Sequence, residues 1–232
     1  MRKVKKFKLT SEFIVDISGV KLFRIKALIE FGNVKAGDLG GYIEKEENLS
    51  HMGDAWVSDD ARISGNAQVF GNAQVFGDAQ VFGDAWVFGN AWVFGNAWVF
   101  GNARVSGNAR VSGNARVFGN AWVSGNARVF GDAQVSGNAR VSGNARVSGD
   151  AQVFGDARVS GDKDYAYAHG FGSCNRTTTF FRLKDGDVGV RCGCFYGTLA
   201  QFRDKVCETH GETKKAQEYL MLADLMEIRF KN

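Results

Sequence analysis

The sequence predicts a mainly β protein built around a triangular, parallel β-solenoid of about six coils. Three observations support this: a six-residue unit recurs from Asp54 to Gly161 without insertion or deletion, the chain holds 30 glycines, and it contains no proline. Abundant glycine without proline indicates many equivalent tight turns rather than collagen or a disordered linker. We divide the chain into an N-terminal cap at 1–53, a β-solenoid at 54–161 and a C-terminal α+β module at 162–232.

The repeated unit reads Gly-(Asn/Asp)-Ala-x-Val-(Phe/Ser). Alanine occupies every sixth position from Ala55 to Ala157, and valine follows two residues later from Val57 to Val159, with Ile63 as the one substitute. Because side chains alternate along a strand, Ala and Val point to the same side, and we expect them to fill the interior. The x and Phe/Ser positions then face outward. Three such units close one triangular coil of eighteen residues.

These hexads resemble the left-handed hexapeptide β-helix family, whose repeats also place a small and an aliphatic residue inward. The resemblance implies a left-handed coil and, by analogy, a homo-oligomer, with a trimer favoured. Many relatives are acyltransferases that use a histidine on a coil as general base, and others bind zinc through three histidines. Here His51, His169 and His210 all lie outside the solenoid. We therefore expect no enzyme, no catalytic residues and no cofactor, with acyltransferase-like chemistry as a remote alternative.

The N-terminal segment is expected to cover one open end of the column, since exposed strand edges would otherwise promote polymerisation. Alternating apolar residues predict strands near Phe13–Ile17 and Val20–Leu28. The glycine-rich stretch from Gly37 to Tyr42 predicts a turn.

The C-terminal module should open with a β-hairpin. Residues 177–183 and 188–195 have strand character on either side of Asp185 and Gly186. Two helices should follow. Thr198 with Gln201 forms a plausible capping box for the first, Gly211 should end it, and Thr213 should begin an amphipathic helix ending near Phe230.

The cysteines leave two interpretations open. Cys192 and Cys194 are predicted on one face of a strand, with Cys174 upstream and Cys207 or His210 on the next helix. Four such groups, Cys192, Cys194, Cys207 and His210 among them, are of the kind that holds tetrahedral zinc. The spacing is not that of a zinc knuckle, and a free cysteine is often simply a small buried residue. We favour the second interpretation and expect no metal.

Large aromatic residues are concentrated at the outward positions. Six of them should encircle one level of the column: Trp86, Phe88, Trp92, Phe94, Trp98 and Phe100. Residues eighteen apart should stack, so these rings could stabilise the column by contact with one another. They could instead form an interface with another copy of the chain or with a protein partner, because so many outward aromatics are unusual on a monomer.

Positive charge accumulates in the second half of the solenoid. Residues 104–160 hold seven arginines and three aspartates, and Arg110, Arg128 and Arg146 should stack on one side. This row predicts, as an alternative function, binding of a nucleotide or nucleic acid. A solvated face is the simpler explanation. A third hypothesis places a small-molecule pocket in the module beside Asn175, Arg176 and Arg191.

The whole layout resembles a group of uncharacterised proteins from bacteria and their phages. The resemblance rests on 34–42 before the hexads, and on 171–177 and 192–198 after them. It implies a protein directed at a host factor or a defence signal. No signal peptide or membrane-spanning stretch is recognisable, so we expect a cytoplasmic protein without membrane contact. The sequence thus favours a non-enzymatic binding or scaffold protein, an oligomerising solenoid that presents a surface to a protein partner.

Overall fold

The computed structural model describes residues 4–172 and 176–231 and confirms a mainly β fold. A parallel β-solenoid of about seven turns is followed by a small module with one antiparallel sheet and two helices. The handedness of the coil stays a prediction. Cys174 and Asn175, which the sequence singled out, lie outside the described residues.

Three N-terminal strands precede the regular coils: β1 (Phe7–Val15), β2 (Lys21–Ala27) and β3 (Leu39–Ile43). Each hexad then contributes one two-residue strand, and the strands form three sides. The first side contains β5 (Arg62–Ile63), β8 (Gln80–Val81), β11 (Trp98–Val99), β14 (Arg116–Val117), β17 (Gln134–Val135) and β20 (Gln152–Val153). The second contains β4 (Trp56–Val57), β7 (Gln74–Val75), β10 (Trp92–Val93), β13 (Arg110–Val111), β16 (Arg128–Val129) and β19 (Arg146–Val147). The third contains β6 (Gln68–Val69), β9 (Trp86–Val87), β12 (Arg104–Val105), β15 (Trp122–Val123), β18 (Arg140–Val141) and β21 (Arg158–Val159).

The interior of the column consists of the alanines and valines of the hexads, as predicted. Every Ala from Ala55 to Ala157 and every Val from Val57 to Val159, with Ile63, is at most 1% exposed. Each coil pairs in register with the next, so Val stacks on Val at a distance of eighteen residues. The alternating pattern of the sequence therefore translates directly into side-chain direction.

The corners of the column require glycine for two reasons. Gly113 has a φ of 68°, in the left-handed region that only glycine adopts at little cost. A Cβ atom added there would lie 3.0 Å from the backbone N and O atoms of Gly131 in the next coil. Beside the glycines, Asn side chains donate to one another from coil to coil, as from Asn90 Nδ2 to Asn108 Oδ1 at 3.2 Å.

The stretch from Gly37 to Tyr42 was predicted to be a turn, and this was wrong in its second half. Residues Leu39–Ile43 form β3, which pairs with β2 on one side and in parallel with β5 on the other. Gly40 and Gly41 serve close packing: a Cβ atom on Gly40 would lie 2.5 Å from the carbonyl oxygen of Val57. This strand begins an irregular extra turn, which explains why the column exceeds six coils.

Polar side chains of the N-terminal cap donate hydrogen bonds to the carbonyl groups that the first coil points along the column axis toward the cap. Lys6, only 1% exposed, donates from Nζ to the carbonyl oxygens of Ala55 at 2.6 Å and Gly53 at 3.1 Å. Asn48 Nδ2 does the same on the third side, to Ala67 at 2.8 Å and Gly65 at 3.1 Å. The cap thus both covers the open edge and forms hydrogen bonds to its carbonyl groups.

We expect Lys6 to make stability depend on pH in the alkaline range. Burial lowers the pKa of Lys6 to about 8, against a smaller opposing effect of Asp54, so the unfolded chain binds more protons than the native one above pH 8. Stability should therefore rise with pH from about 8 to 10, by about 2 kcal/mol. Urea unfolding at several pH values, with Lys6→Met as the control that cannot titrate, measures this effect. Parallel pH curves for the two proteins would contradict it.

At the C-terminal end of the column, a backbone amide on each of the three sides donates a hydrogen bond to an acceptor in the module. The backbone amides of Arg146, Gln152 and Ser160 have no further coil to bind. They donate to Asp162 Oδ1 at 2.9 Å, Thr179 Oγ1 at 2.9 Å and Asp164 Oδ2 at 2.8 Å, respectively. Burial opposes ionisation of Asp164, but hydrogen bonds from Ser160 and Gly161 outweigh it and hold its pKa below the usual value.

The module contains a four-stranded antiparallel sheet, β22 (Tyr165–Phe171), β23 (Arg176–Arg182), β24 (Val188–Cys192) and β25 (Phe195–Thr198), with helices α1 (Leu199–His210) and α2 (Lys214–Phe230). Phe181 and Tyr165 from this sheet belong to the hydrophobic core of the solenoid, so the sheet lies across the last coil.

Both predicted helices are confirmed. Thr198 and Gln201 form the capping box of α1, Gly211 is its C-cap with a φ of 55°, and Thr213 caps α2.

The prediction of a single strand over 188–195 was wrong. Cys192 pairs with Phe195, and Gly193 and Cys194 form a two-residue turn between β24 and β25. Gly193 has a φ of 57°, which suits such a tight turn. The two thiols therefore do not share one face of a strand, because Cys194 lies in the turn.

Candidate functional site

The outward phenylalanines form stacks along each side of the column. Phe70 stacks on Phe88 and Phe76 on Phe94, both at 4.9 Å between ring centroids, with planes within 4° of parallel. Phe82, Phe100 and Phe118 form a three-membered stack on the first side. The predicted eighteen-residue ladders are confirmed, and each ring buries part of its neighbour.

The six aromatic residues at one level of the column form a ring that we call the girdle: Trp86, Phe88, Trp92, Phe94, Trp98 and Phe100. Its three tryptophans occupy equivalent positions on the three sides. Each contacts a phenylalanine of the preceding coil and an arginine of the next: Trp92 meets the edge of Phe76 at 6.0 Å, and the guanidinium of Arg110 lies 4.8 Å from its ring centroid. Trp86 and Trp98 repeat the arrangement with Arg104 and Arg116, at 5.0 and 5.3 Å.

These contacts leave less aromatic surface than the sequence suggested. Of the six girdle residues, only Trp86 and Trp92 are exposed, at 38% and 39%, and both lie under an arginine, whereas the other four are half-buried. Trp56, near the start of the solenoid, is buried against Phe31 of the cap. The girdle is therefore an ordered polar–aromatic surface rather than an open apolar patch.

The arginine row on the second side has the predicted geometry. Arg110 pairs in register with Arg128, and Arg128 with Arg146, on adjacent parallel strands. All three side chains are exposed. Within the described part of the chain, none of them forms an ion pair with a carboxylate. Arginine keeps its charge and offers several N–H donors, so this row can bind anions.

The module contains a pocket of about 200 Å³ between its sheet and its helices. Phe195, Phe202 and Tyr219 form much of its apolar wall, and Arg176, Lys205 and His210 add polar or basic groups. Such a site, apolar with a few polar groups, is suited to a small organic anion.

The two described residues of the small-molecule hypothesis, Arg176 and Arg191, have different surroundings. Arg176 lines the pocket, whereas Arg191 contacts the end of the solenoid, with its guanidinium 5.0 Å from the ring centroid of Phe154 and Nε 3.4 Å from Gln152 Oε1. Arg191 therefore joins the module to the column. Asn175 lies outside the described residues.

The suggested zinc ligands do not converge. Cys192 is half-buried and accepts a hydrogen bond from Thr178 Oγ1 at 3.2 Å, while Cys194 and Cys207 are exposed. His210 stacks on Tyr219 instead. Among residues 4–172 and 176–231, no three His, Cys, Asp or Glu side chains lie close enough together to hold a metal ion.

Helix α2 carries an exposed apolar row that the sequence analysis did not single out. Met221, Leu225 and Ile228 are 70%, 55% and 70% exposed and lie on one face at the i, i+4 and i+7 positions. The opposite face packs in the module core through Tyr219 and Met226. This row is a candidate contact surface, because soluble proteins rarely expose neighbouring large apolar side chains in this way.

A family model described as the YdcK β-solenoid repeat matches residues 61–77, 109–125, 121–137 and 133–149. The hexads resemble the YdcK repeat. This likeness supports a repeat β-helix, and all the matched residues lie within the solenoid. No match was found among curated proteins. None of the described helices has the length and apolar character needed to cross a bilayer.

Proposed function

We propose that the protein is a non-enzymatic binding scaffold in which a rigid solenoid associates with further copies of itself and presents surfaces to a protein partner. The observation that carries this proposal is the exposed row Met221, Leu225 and Ile228 on a helix fixed to the end of the column. The exposed Trp86 and Trp92 provide a second surface for self-association. The hexad resemblance favours a trimer, and the resemblance to phage proteins suggests a host factor or defence signal as the target.

The support for a rigid scaffold comes from the continuity of the column. Eighteen hexads follow one another without a loop that could close over a substrate, and no histidine lies among them. Stacked rings and Asn ladders connect successive coils on the outside. Such a surface displays side chains at fixed positions, so little entropy is lost when a partner binds.

The molar mass in solution can show which of the two surfaces, the α2 row or the girdle, forms the interface between copies of the chain. We expect the full chain to elute as an oligomer in size-exclusion chromatography with light scattering. Leu225→Glu should abolish association if α2 forms the interface, and Trp92→Glu should abolish it if the girdle does. Each variant is the control for the other. A monomeric full chain at high concentration would remove self-association from the proposal.

The second candidate function is nucleotide or nucleic-acid binding by Arg110, Arg128 and Arg146. Three arginines in register on adjacent strands, without a carboxylate partner, support it, because bound anions would relieve the repulsion between their charges. Binding to single-stranded oligonucleotides should weaken steeply with salt, and Arg128→Gln should reduce the salt slope. Binding that is insensitive to salt, or to Arg128→Gln, would exclude this function.

A further inference from the structure

A cationic groove of about 480 Å³ lies on the third side, where the solenoid meets the module. The column contributes Arg104, Trp122, Arg140 and Arg158 to its lining, together with an Asn/Asp corner that ends at Asp156. The module contributes Lys184, which follows β23 in the hairpin turn. The groove therefore has walls from two parts of the fold, unlike the arginine row of the second side.

The groove holds an excess of positive charge. Four cations face one carboxylate, that of Asp156, which leaves a formal charge of +3. Asp156 Oδ1 already accepts a hydrogen bond from Asn138 Nδ2 at 3.2 Å. In the described ranges, none of the four cations forms an ion pair.

Two of these cations are held next to each other. Arg140 pairs in register with Arg158 on adjacent strands, roughly 4.8 Å apart along the column. Two cationic side chains that project from neighbouring strand positions repel each other, and an anion bound near both would relieve this repulsion. A phosphoryl group offers three acceptor oxygens, and arginine donates to such groups in a matching fork.

Two arginines of the groove, Arg158 and Arg140, are held in position by contacts within the column. Arg158 Nη1 donates to the carbonyl oxygens of Ala157 at 2.8 Å and of Asn138 at 3.1 Å. The guanidinium of Arg140 lies 5.6 Å from the ring centroid of Trp122. The indole N–H of Trp122 in turn donates to Ser106 Oγ at 3.0 Å. A preorganised set of donors loses little entropy on binding.

We propose that this groove binds a compact ligand carrying more than one phosphoryl group, with one such group between Arg140 and Arg158 and another near Lys184. Two phosphoryl groups carry several negative charges near neutral pH, so they match the local excess of +3 better than a single carboxylate does. This site is separate from the display function proposed above and from the arginine row on the second side, so either can fail without the other.

The test is isothermal titration of the full chain with inorganic pyrophosphate at constant ionic strength. We expect one saturable site per chain, with binding weakened at least tenfold by Arg140→Gln and by Lys184→Gln. Lys184 is exposed in a turn, so its replacement leaves the column intact. Arg128→Gln is the matched control: it removes the same charge from the second side and should leave the affinity unchanged.

Two results would overturn the proposal. One is the absence of saturable binding to the folded full chain. The other is an equal loss of affinity in Arg128→Gln and Arg140→Gln, which would show that pyrophosphate responds only to the overall charge. Chloride at the same ionic strength should not compete, whereas orthophosphate should compete weakly, since it supplies only one of the two groups.

Discussion

A chain that ends at Gly161 is expected to associate through its newly exposed end. In the full protein the last coil is covered by Phe181 and Tyr165, and the amides of Arg146 and Gln152 are bound by Asp162 and Thr179. Without the module, a closed ring of unpaired strand edges and buried alanines and valines would face water. Such edges pair readily with another edge. Sedimentation velocity should show large species or loss of soluble protein.

The control for this truncation is Thr179→Val in the full chain, which removes one acceptor but keeps the covering sheet. We expect it to lower the free energy of unfolding by about 1 kcal/mol without any change in association. If the truncated chain sedimented as the full chain does, at the same concentration, the module would not be needed to protect the end.

The second large effect is expected at a corner of the column. Gly113→Val should lower the free energy of unfolding by about 3 kcal/mol. The left-handed backbone costs a side chain about 1–2 kcal/mol, and overlap with the backbone of Gly131 adds about 1–3 kcal/mol. Gly131 cannot easily move away, because its carbonyl oxygen accepts a hydrogen bond from the amide of Asn114 at 2.8 Å and the amide of the following Asp132 donates to Gly149 at 3.0 Å. The midpoint of urea denaturation measures the effect.

Substitutions at two other glycines separate the cost of the left-handed backbone from the cost of overlap with the next coil. Gly170 has a φ of 86° but nothing within 4 Å of an added Cβ, so Gly170→Val should show the backbone cost alone. Gly161 has neither a positive φ nor a neighbour, and Gly161→Val should change stability by less than about 0.5 kcal/mol. Equal effects at Gly113 and Gly170 would mean that contact between coils contributes nothing at the corner.

The regular part of the fold could be predicted from the sequence because its physics is local. One alternation rule assigns Ala and Val to the interior, and the eighteen-residue coil then sets which residues stack, as it does for Phe76 with Phe94 and Arg128 with Arg146. A slip of one residue would move every side chain of a strand to the wrong face, which fixes the register within each hexad.

The ends of the column could not be predicted in the same way. Gly40 and Gly41 suggested a turn, but they are glycines because the strand passes against carbonyl groups of the first coil. The function of Lys6 depends on its distance from Ala55, which no local pattern records. Gly193 divides a segment that reads as one strand, and this removed the basis of the suggested metal site.

Among the candidate sites, too, the sequence could predict only those that arise within the repeat. The arginine row was visible because its members recur at a fixed interval in one continuous repeat. The groove was not, since Lys184 reaches Arg140 and Arg158 only after the module has folded against the last coil. The exposure of Trp92 was overestimated because Arg110 covers the ring, a contact between side chains of different coils.

The eighteen-residue coil links the length of the column to the direction in which its ends point. Inserting three hexads would lengthen it by one strand spacing, about 4.8 Å, and leave the cap and the module facing as they do now. Inserting a single hexad would turn the module by about a third of a revolution relative to the cap. Growth by whole turns therefore changes only the distance between the cap and the module, whereas growth by single hexads also changes the direction in which the module faces.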